Sequence, residues 1–271
     1  MDYLKTMFSL EEKVIAITGG AGAIAHALAE AFLNAGAKVS LWDIKEEYAL
    51  QAKERLHAAT GAGDRIQGLE VDALSESSVE QALALCEKTL GVPNVLVNAA
   101  GGNRGKSPFI EADIALFEEV VKLNLIAGLM VPTKVTAKYW IEKQVEGAII
   151  NMSSMASYIP LSGVWAYGAA KAGVMNLTMA CAKEFAPHKI RVNGIAPGFF
   201  IGKQNRALLI DEKTGDLTPR GEEVIAHTPY GRFGDVSELT GVAIFLISER
   251  ASGFVTGVTI PVDGGYLVHN I

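Results

Sequence analysis

VIAITGGAGAIAHALAEAF, from Val14 to Phe32, is the stretch on which the fold turns. Four of its first five residues are β-branched, which favours a short buried strand. Gly19, Gly20 and Gly22 then allow a tight turn, and the alanine-rich run from Ala23 favours a helix. A strand, a glycine turn and a helix in that order expose backbone N–H groups at a helix N-terminus, where the macrodipole favours an anion. The expected ligand is a dinucleotide pyrophosphate, with Gly19, Gly20, Gly22, Ala23 and Ile24 as the cradle.

The same alternation continues outward. Short β-type runs occur at Val14 to Thr18, Lys38 to Trp42, Ile66 to Val71, Val95 to Asn98, Ala148 to Ser153, Ile190 to Ile195 and Val258 to Val262. Amphipathic runs begin near Ala23, Lys45, Glu76, Asp113, Gly163 and Val236. Strict alternation predicts an α/β fold: a single Rossmann-type domain over residues 1–271, with a doubly wound parallel sheet of about seven strands and helices on both faces. Asp43 closes the second strand about two dozen residues after the first glycine. A carboxylate there can bind both adenosine ribose hydroxyls and repel a 2′-phosphate, so NAD is expected over NADP, with Lys45 as a nearby cation.

A second constellation carries reaction chemistry. Ser154 follows the apolar run GAIINMS and projects from a strand end, where open α/β sheets bind ligands. Tyr167 and Lys171 lie four residues apart in a helix-compatible run, one turn apart on one face. An ammonium beside a phenol favours the phenolate, bringing proton exchange closer to neutral pH. Tyr139 and Lys143 repeat the spacing, but Ile126 stands thirteen residues before Tyr139, where the first set has serine. That second pair reads as helix surface.

Composition narrows the classes. The chain has 271 residues, 49% of them hydrophobic, and a formal net charge of −6, which argues against nucleic-acid and anionic-membrane partners. Cys86 and Cys181 lack metal-ligand spacing, and read as reduced thiols of a cytoplasmic protein. The N-terminal MDYLKTMFSLEEK has no basic stretch followed by an apolar one, and no apolar run approaches the ~18 residues of a membrane span, so neither export nor a span is expected.

Together these residues resemble the short-chain dehydrogenase/reductase family over nearly the whole chain. The marks are the turn from Thr18 to Ala25, Asp72 after the third strand, Asn98-Ala99-Ala100-Gly101 after the fourth, and Asn124 in VVKLNLIAG. They continue with Ser154, Tyr167 and Lys171, then Pro197-Gly198 and PVDGG. Ala23 and Ala25 depart from the family, which usually has glycines there. The resemblance implies Tyr167 as acid/base, Ser154 on the reacting oxygen, Lys171 lowering the tyrosine pKa and contacting the ribose, and Asn124 completing a water relay. It also implies a cofactor site of Asp43, Asp72, Ala73, Asn98, Ala99, Gly101, Tyr167, Lys171, Pro197, Gly198 and Phe200, with Asn98 bracing the central strands, and a homotetramer built through the helices of Asn124 and Tyr167.

Substrate choice must come from less generic segments. Residues 199–233 are long for a connection and are expected to form a lid. Within them Thr218-Pro219 with Glu222 and Glu223 reads as a helix start. Lys203, Gln204, Asn205 and Arg206, together with Asn103, Arg104 and Ser154, suit a polyhydroxylated anion, a sugar acid. His227 reads equally as a helix-end cap or a substrate group. NAAGGN, APGFF, QNRALL and IAHTPYGRFG are similar to the D-mannonate oxidoreductase, or fructuronate reductase, branch of the family, although Gly202 replaces a usual hydroxyl residue. Other sugar-acid or polyol dehydrogenases, such as gluconate 5-dehydrogenase, and 3-oxoacyl thioester reductases share the catalytic residues.

Overall fold

A computed structural model describes residues 3–202, 206–211 and 213–269. In chain order they form α1 (Tyr3–Phe8), β1 (Val14–Thr18), α2 (Ala23–Asn34), β2 (Lys38–Asp43), α3 (Glu46–Thr60), β3 (Ile66–Glu70) and α4 (Glu76–Thr89). Next come β4 (Val95–Asn98), α5 (Ile114–Val121), α6 (Val131–Lys143), β5 (Gly147–Met152), α7 (Trp165–Phe185) and β6 (Ile190–Pro197). The chain finishes with α8 (Arg206–Leu209), α9 (Pro219–Ala226), α10 (Thr240–Ile247), α11 (Glu249–Ser252) and β7 (Thr259–Val262). The seven strands fall where the β-type runs predict them, with ends moved by a residue or two. The short helices α1, α8 and α11 carry too little periodicity to be read in advance.

All neighbouring strands are parallel, in the order β3-β2-β1-β4-β5-β6-β7. Winding reverses between β1 and β4, whose registers align Thr18 with Asn98, and a crevice opens beyond those two strand ends. Alternate side chains feed two cores. Ile15, Ile17 and Leu41 pack with Leu28, Phe32, Leu56 and Leu246 on one face. Ala16, Trp42 and Leu96 pack with Leu83, Val135 and Trp140 on the other. Such double burial explains why the strands read as near-continuous apolar runs.

From α5 to α6 the chain stays helical, but residues Lys122–Met130 form a wider π turn. Asp113 caps the start, accepting from Ala115 N–H at 2.8 Å and Leu116 N–H at 3.2 Å, a contribution of about 1 kcal/mol. The widening brings Gly128 against the loop after β4, where an added Cβ would lie 2.8 Å from Ala100 O. Among the described residues no helix is long and apolar enough to cross a membrane.

Candidate active site

The glycine turn is built by close approach. Gly19 takes φ +63°, and a Cβ there would stand 2.9 Å from Ala100 Cα. A Cβ on Gly20 would stand 2.8 Å from that of Leu41. Thr18 Oγ1 accepts from Ala99 N–H at 3.1 Å and Ala100 N–H at 3.2 Å, stitching the β1 and β4 loops together. Asp43 Oδ2 accepts from Ala21 N–H at 3.0 Å and Oδ1 from Ile44 N–H at 2.9 Å, so its carboxylate is fixed beside the turn. Gly22 caps α2 without a side chain, leaving the helix N-terminus to an incoming anion. These residues fit a dinucleotide. The Ala25 methyl is buried in the core and the Ala23 residue is exposed at the helix start, so only Ala23 stands near the cradle.

Asp72 lies next to Asp43's strand end, since Val71 N–H donates to Asp43 O at 2.7 Å. Its Oδ1 accepts from Leu74 N–H at 2.9 Å, which sets Ala73 in a turn. Asn98 is fully buried. Its Nδ2 donates to Thr133 Oγ1 and Asn151 Oδ1, both at 2.8 Å, and Asn151 Nδ2 donates to Thr178 Oγ1 at 2.9 Å. That chain of side chains joins α6, β4, β5 and α7.

Ser154 sits just beyond β5, and its Oγ accepts from Ala156 N–H at 3.1 Å. Tyr167 lies in the first turn of α7, beside Ser154. Lys171 is buried one turn on, its Nζ donating to Met152 O at 2.8 Å and lying 5.7 Å from the Tyr167 ring centroid. Burial lowers Lys171 to about 8. Burial also raises the Tyr167 phenol, with the neighbouring Ser154 hydroxyl acting in the opposite sense. The expected lowering of the tyrosine by Lys171 is therefore corrected: the ammonium is engaged with Met152 O, and desolvation governs the phenol.

Asn124 occupies the π turn with no exposure. Its Nδ2 donates to Gly102 O at 2.7 Å and Val120 O at 2.9 Å, while Oδ1 accepts from Gly102 N–H at 3.0 Å. A Cβ on Gly101 would lie 2.7 Å from Asn124 Oδ1 and 3.3 Å from Lys171 Nζ, so Gly101 is the meeting point of these two side chains. Ser153 and Ser157 were missed in the sequence. Their hydroxyls lie 2.6 Å apart, and Ser157 Oγ donates to Lys171 O at 2.7 Å. The hydroxyl-rich SSMAS after an apolar strand was the available signal.

The other candidates divide. Gly198 N–H donates to Val262 O at 2.9 Å, holding Pro197-Gly198 on the PVDGG segment. The Phe200 side chain is in the core, filling the space that Gly234 leaves, so a cofactor contact there falls to its backbone. Asn103 is exposed and donates to Gly105 O at 3.0 Å. Arg104 forms an ion pair with Glu119 of α5. Arg206 opens α8, exposed, while Lys203, Gln204 and Asn205 lie outside the described residues. The Thr218 side chain caps α9, accepting from Gly221 N–H at 3.1 Å, as its sequence predicts. His227 ends that helix with its Nδ1 2.8 Å from Glu223 O, the cap reading.

A family model described as Enoyl-(Acyl carrier protein) reductase matches residues 19–267. A crystal structure of a protein provisionally described as a D-mannonate oxidoreductase from Haemophilus influenza, with bound NAD, is similar at 34% identity and TM-score 0.89, covering 98% of this chain and 99% of that one. A gluconate 5-dehydrogenase from Burkholderia cenocepacia J2315, in complex with NADP and tartrate, is similar at 31% identity and TM-score 0.88, covering 99% and 100%. The 5-keto-D-gluconate 5-reductase of Escherichia coli K12 is 37% identical, over 98% of this chain and 99% of its own length. With this fold and these matches, the chain belongs to the short-chain dehydrogenase/reductase family, oxidoreductases that act on alcohol groups with a nicotinamide cofactor.

Proposed function

We propose that this chain is an NAD-linked dehydrogenase that interconverts D-mannonate and D-fructuronate. The observation that carries the chemistry is the set of buried Ser154, half-buried Tyr167 and buried Lys171 at the C-terminal edge of the sheet. Similarity to the Haemophilus protein over nearly the whole of both chains supports the substrate pair, and Asp43 beside the glycine turn supports NAD.

Bound nicotinamide supplies the hydride donor or acceptor. Ser154 and Tyr167 hold the reacting oxygen through their hydroxyls, and Tyr167 exchanges the proton with it. Because burial raises the phenol, the form held near neutral pH is the protonated one. That is the form that protonates a carbonyl oxygen as it is reduced. Lys171 donates toward the ribose hydroxyls, and Asn124 keeps the loop at Gly101 and Gly102 in place beside it.

Residues 199–233 act as the lid of the substrate cleft in this reading. Other copies of the chain cover the exposed Met130 and Met179 on the α5–α6 rod and α7, in a homotetramer built through these helices. Its two free thiols suit the cytoplasm.

The test is a spectrophotometric panel following NADH against D-mannonate, D-fructuronate, D-gluconate and an acetoacetyl thioester, with NADP in parallel. Selective NAD-linked turnover of the mannonate/fructuronate pair is expected. Selective turnover of gluconate, favoured by the likeness to the Escherichia and Burkholderia proteins, or of the thioester, replaces the substrate assignment. Tyr167→Phe is expected to lose about a thousandfold in turnover while still binding NADH.

A further inference from the structure

A guanidinium stacks on an aromatic ring beyond the sheet's C-terminal edge, and two further segments pack nearby. Arg220, in the first turn of α9, places its Cζ 5.9 Å from the ring centroid of Phe199, which directly follows Pro197-Gly198. Phe199 in turn meets Tyr266, just past the PVDGG segment, with centroids 5.4 Å apart. From the third side comes Lys106, whose stem fills the space beside Gly163, with a Cβ on that glycine 2.5 Å from Lys106 Cγ. Gly163 stands four residues before Tyr167, so the Lys106 loop rests on the start of the helix that carries the phenol.

Arg220 already holds a carboxylate. Its Nη1 donates to Glu223 Oε2 at 2.6 Å, and the two side chains remain 38% and 58% exposed. The Glu223 carboxyl lies below its usual range, chiefly through the hydrogen bond and charge of Arg220, with His227 and Lys106 adding to the same field. A cation stacked on an aromatic ring is positioned in advance, and its planar fork matches a carboxylate. By contrast, Arg104 is paired on the flank of α5.

We propose that Arg220 is the specificity-determining residue that receives the substrate carboxylate, and that Glu223 is a stand-in carboxylate which an anionic ligand displaces. This rests on the sugar-acid reading of the site. Glu223 therefore weakens binding of every acid by competition, while neutral polyols neither gain from Arg220 nor displace Glu223.

The experiment is calorimetric titration of the NADH-bound protein with D-mannonate and with D-mannitol, the neutral polyol of the same carbon skeleton. Wild type, Arg220→Gln, Arg220→Lys and Glu223→Gln are compared. Arg220→Gln is expected to weaken mannonate at least about 10-fold and leave mannitol within about 2-fold, Arg220→Lys to fall between, and Glu223→Gln to tighten mannonate about 3-fold. Equal effects on both ligands, an unchanged mannonate affinity in Arg220→Gln, or no saturable mannonate binding by the wild type overturns the assignment. Thermal melting of each variant separates misfolding from lost recognition. Because binding is read without turnover, wild-type protein that binds mannonate through Arg220 but oxidises another acid would overturn the proposed reaction and leave the carboxylate site standing.

Discussion

Ser157 donates its hydroxyl to the backbone carbonyl of Lys171 at 2.7 Å, fixing α7 against the end of β5 from a buried position. Ser153, 2.6 Å from the Ser157 hydroxyl, completes the contact. Ser157 is thus a positioning residue for Tyr167 and Lys171. Ser157→Ala is expected to lower kcat about 10-fold with little change in KM, and Ser157→Thr to restore most of it. Steady-state kinetics of the three proteins decide this; a pure KM effect, or no rescue by threonine, would count against positioning.

The buried Lys171 carries a pH signature. Its pKa falls from 10.5 to about 8 through burial, so between those values the unfolded chain binds a proton that the folded one does not. Stability must then rise with pH across that window, by an amount on the order of 3 kcal/mol, and the cost is fully present below about 8. Lys171→Met removes the ammonium. Its melting temperature relative to wild type is expected to be most favourable at pH 7 and to lose that advantage by pH 10. A pH-independent difference would contradict the assignment.

The chain Thr133–Asn98–Asn151–Thr178 holds four elements together inside the sheet. Asn98→Ala leaves Thr133 and Asn151 without their donor in a site that excludes water. A loss of about 3 kcal/mol in urea unfolding is expected, since each buried unsatisfied group costs about 1–3 kcal/mol. An unchanged midpoint would show that the neighbours re-pair.

Asp43 bonds the glycine turn with one oxygen and Ile44 with the other, while staying half-buried at the strand end. Asp43→Asn retains an acceptor for Ala21 N–H but removes the charge. The ratio of kcat/KM for NAD over NADP is expected to fall at least about 10-fold, mostly through KM. A constant ratio would assign the preference elsewhere.

The two Tyr-x-x-x-Lys pairs show what spacing can and cannot convey. Tyr139 donates to Glu87 at 2.7 Å, and Lys143 donates to the same carboxylate at 2.7 and 2.9 Å, at an exposed site. Only Tyr167 and Lys171 sit over a strand end with a serine hydroxyl in reach, and the missing serine before Tyr139 already told them apart. The sheet was legible because doubly buried strands read as unbroken apolar runs, and the glycine turn because each glycine answers a close approach. Desolvation of Tyr167 and Lys171 was not legible, because burial belongs to neighbours far apart in the chain. Neither was the pairing of Arg104 with Glu119, or the stacking of Arg220 on Phe199, each of which joins segments that the sequence keeps apart.

Phe200 and Gly234 bridge backbone to backbone, and Gly234 N–H donates to Phe199 O at 2.9 Å, so the two ends of the segment between them meet at a neck, beside which Tyr230 N–H donates to Gly264 O at 3.1 Å. A loop pinched at its base has already met most of its closure entropy, and doubling its length adds only about 0.6 kcal/mol. Changes of length between the two pinned ends are therefore inexpensive for the sheet beneath. The neck makes this stretch a cassette, through which one scaffold can be fitted to new substrates while its reacting residues stay fixed.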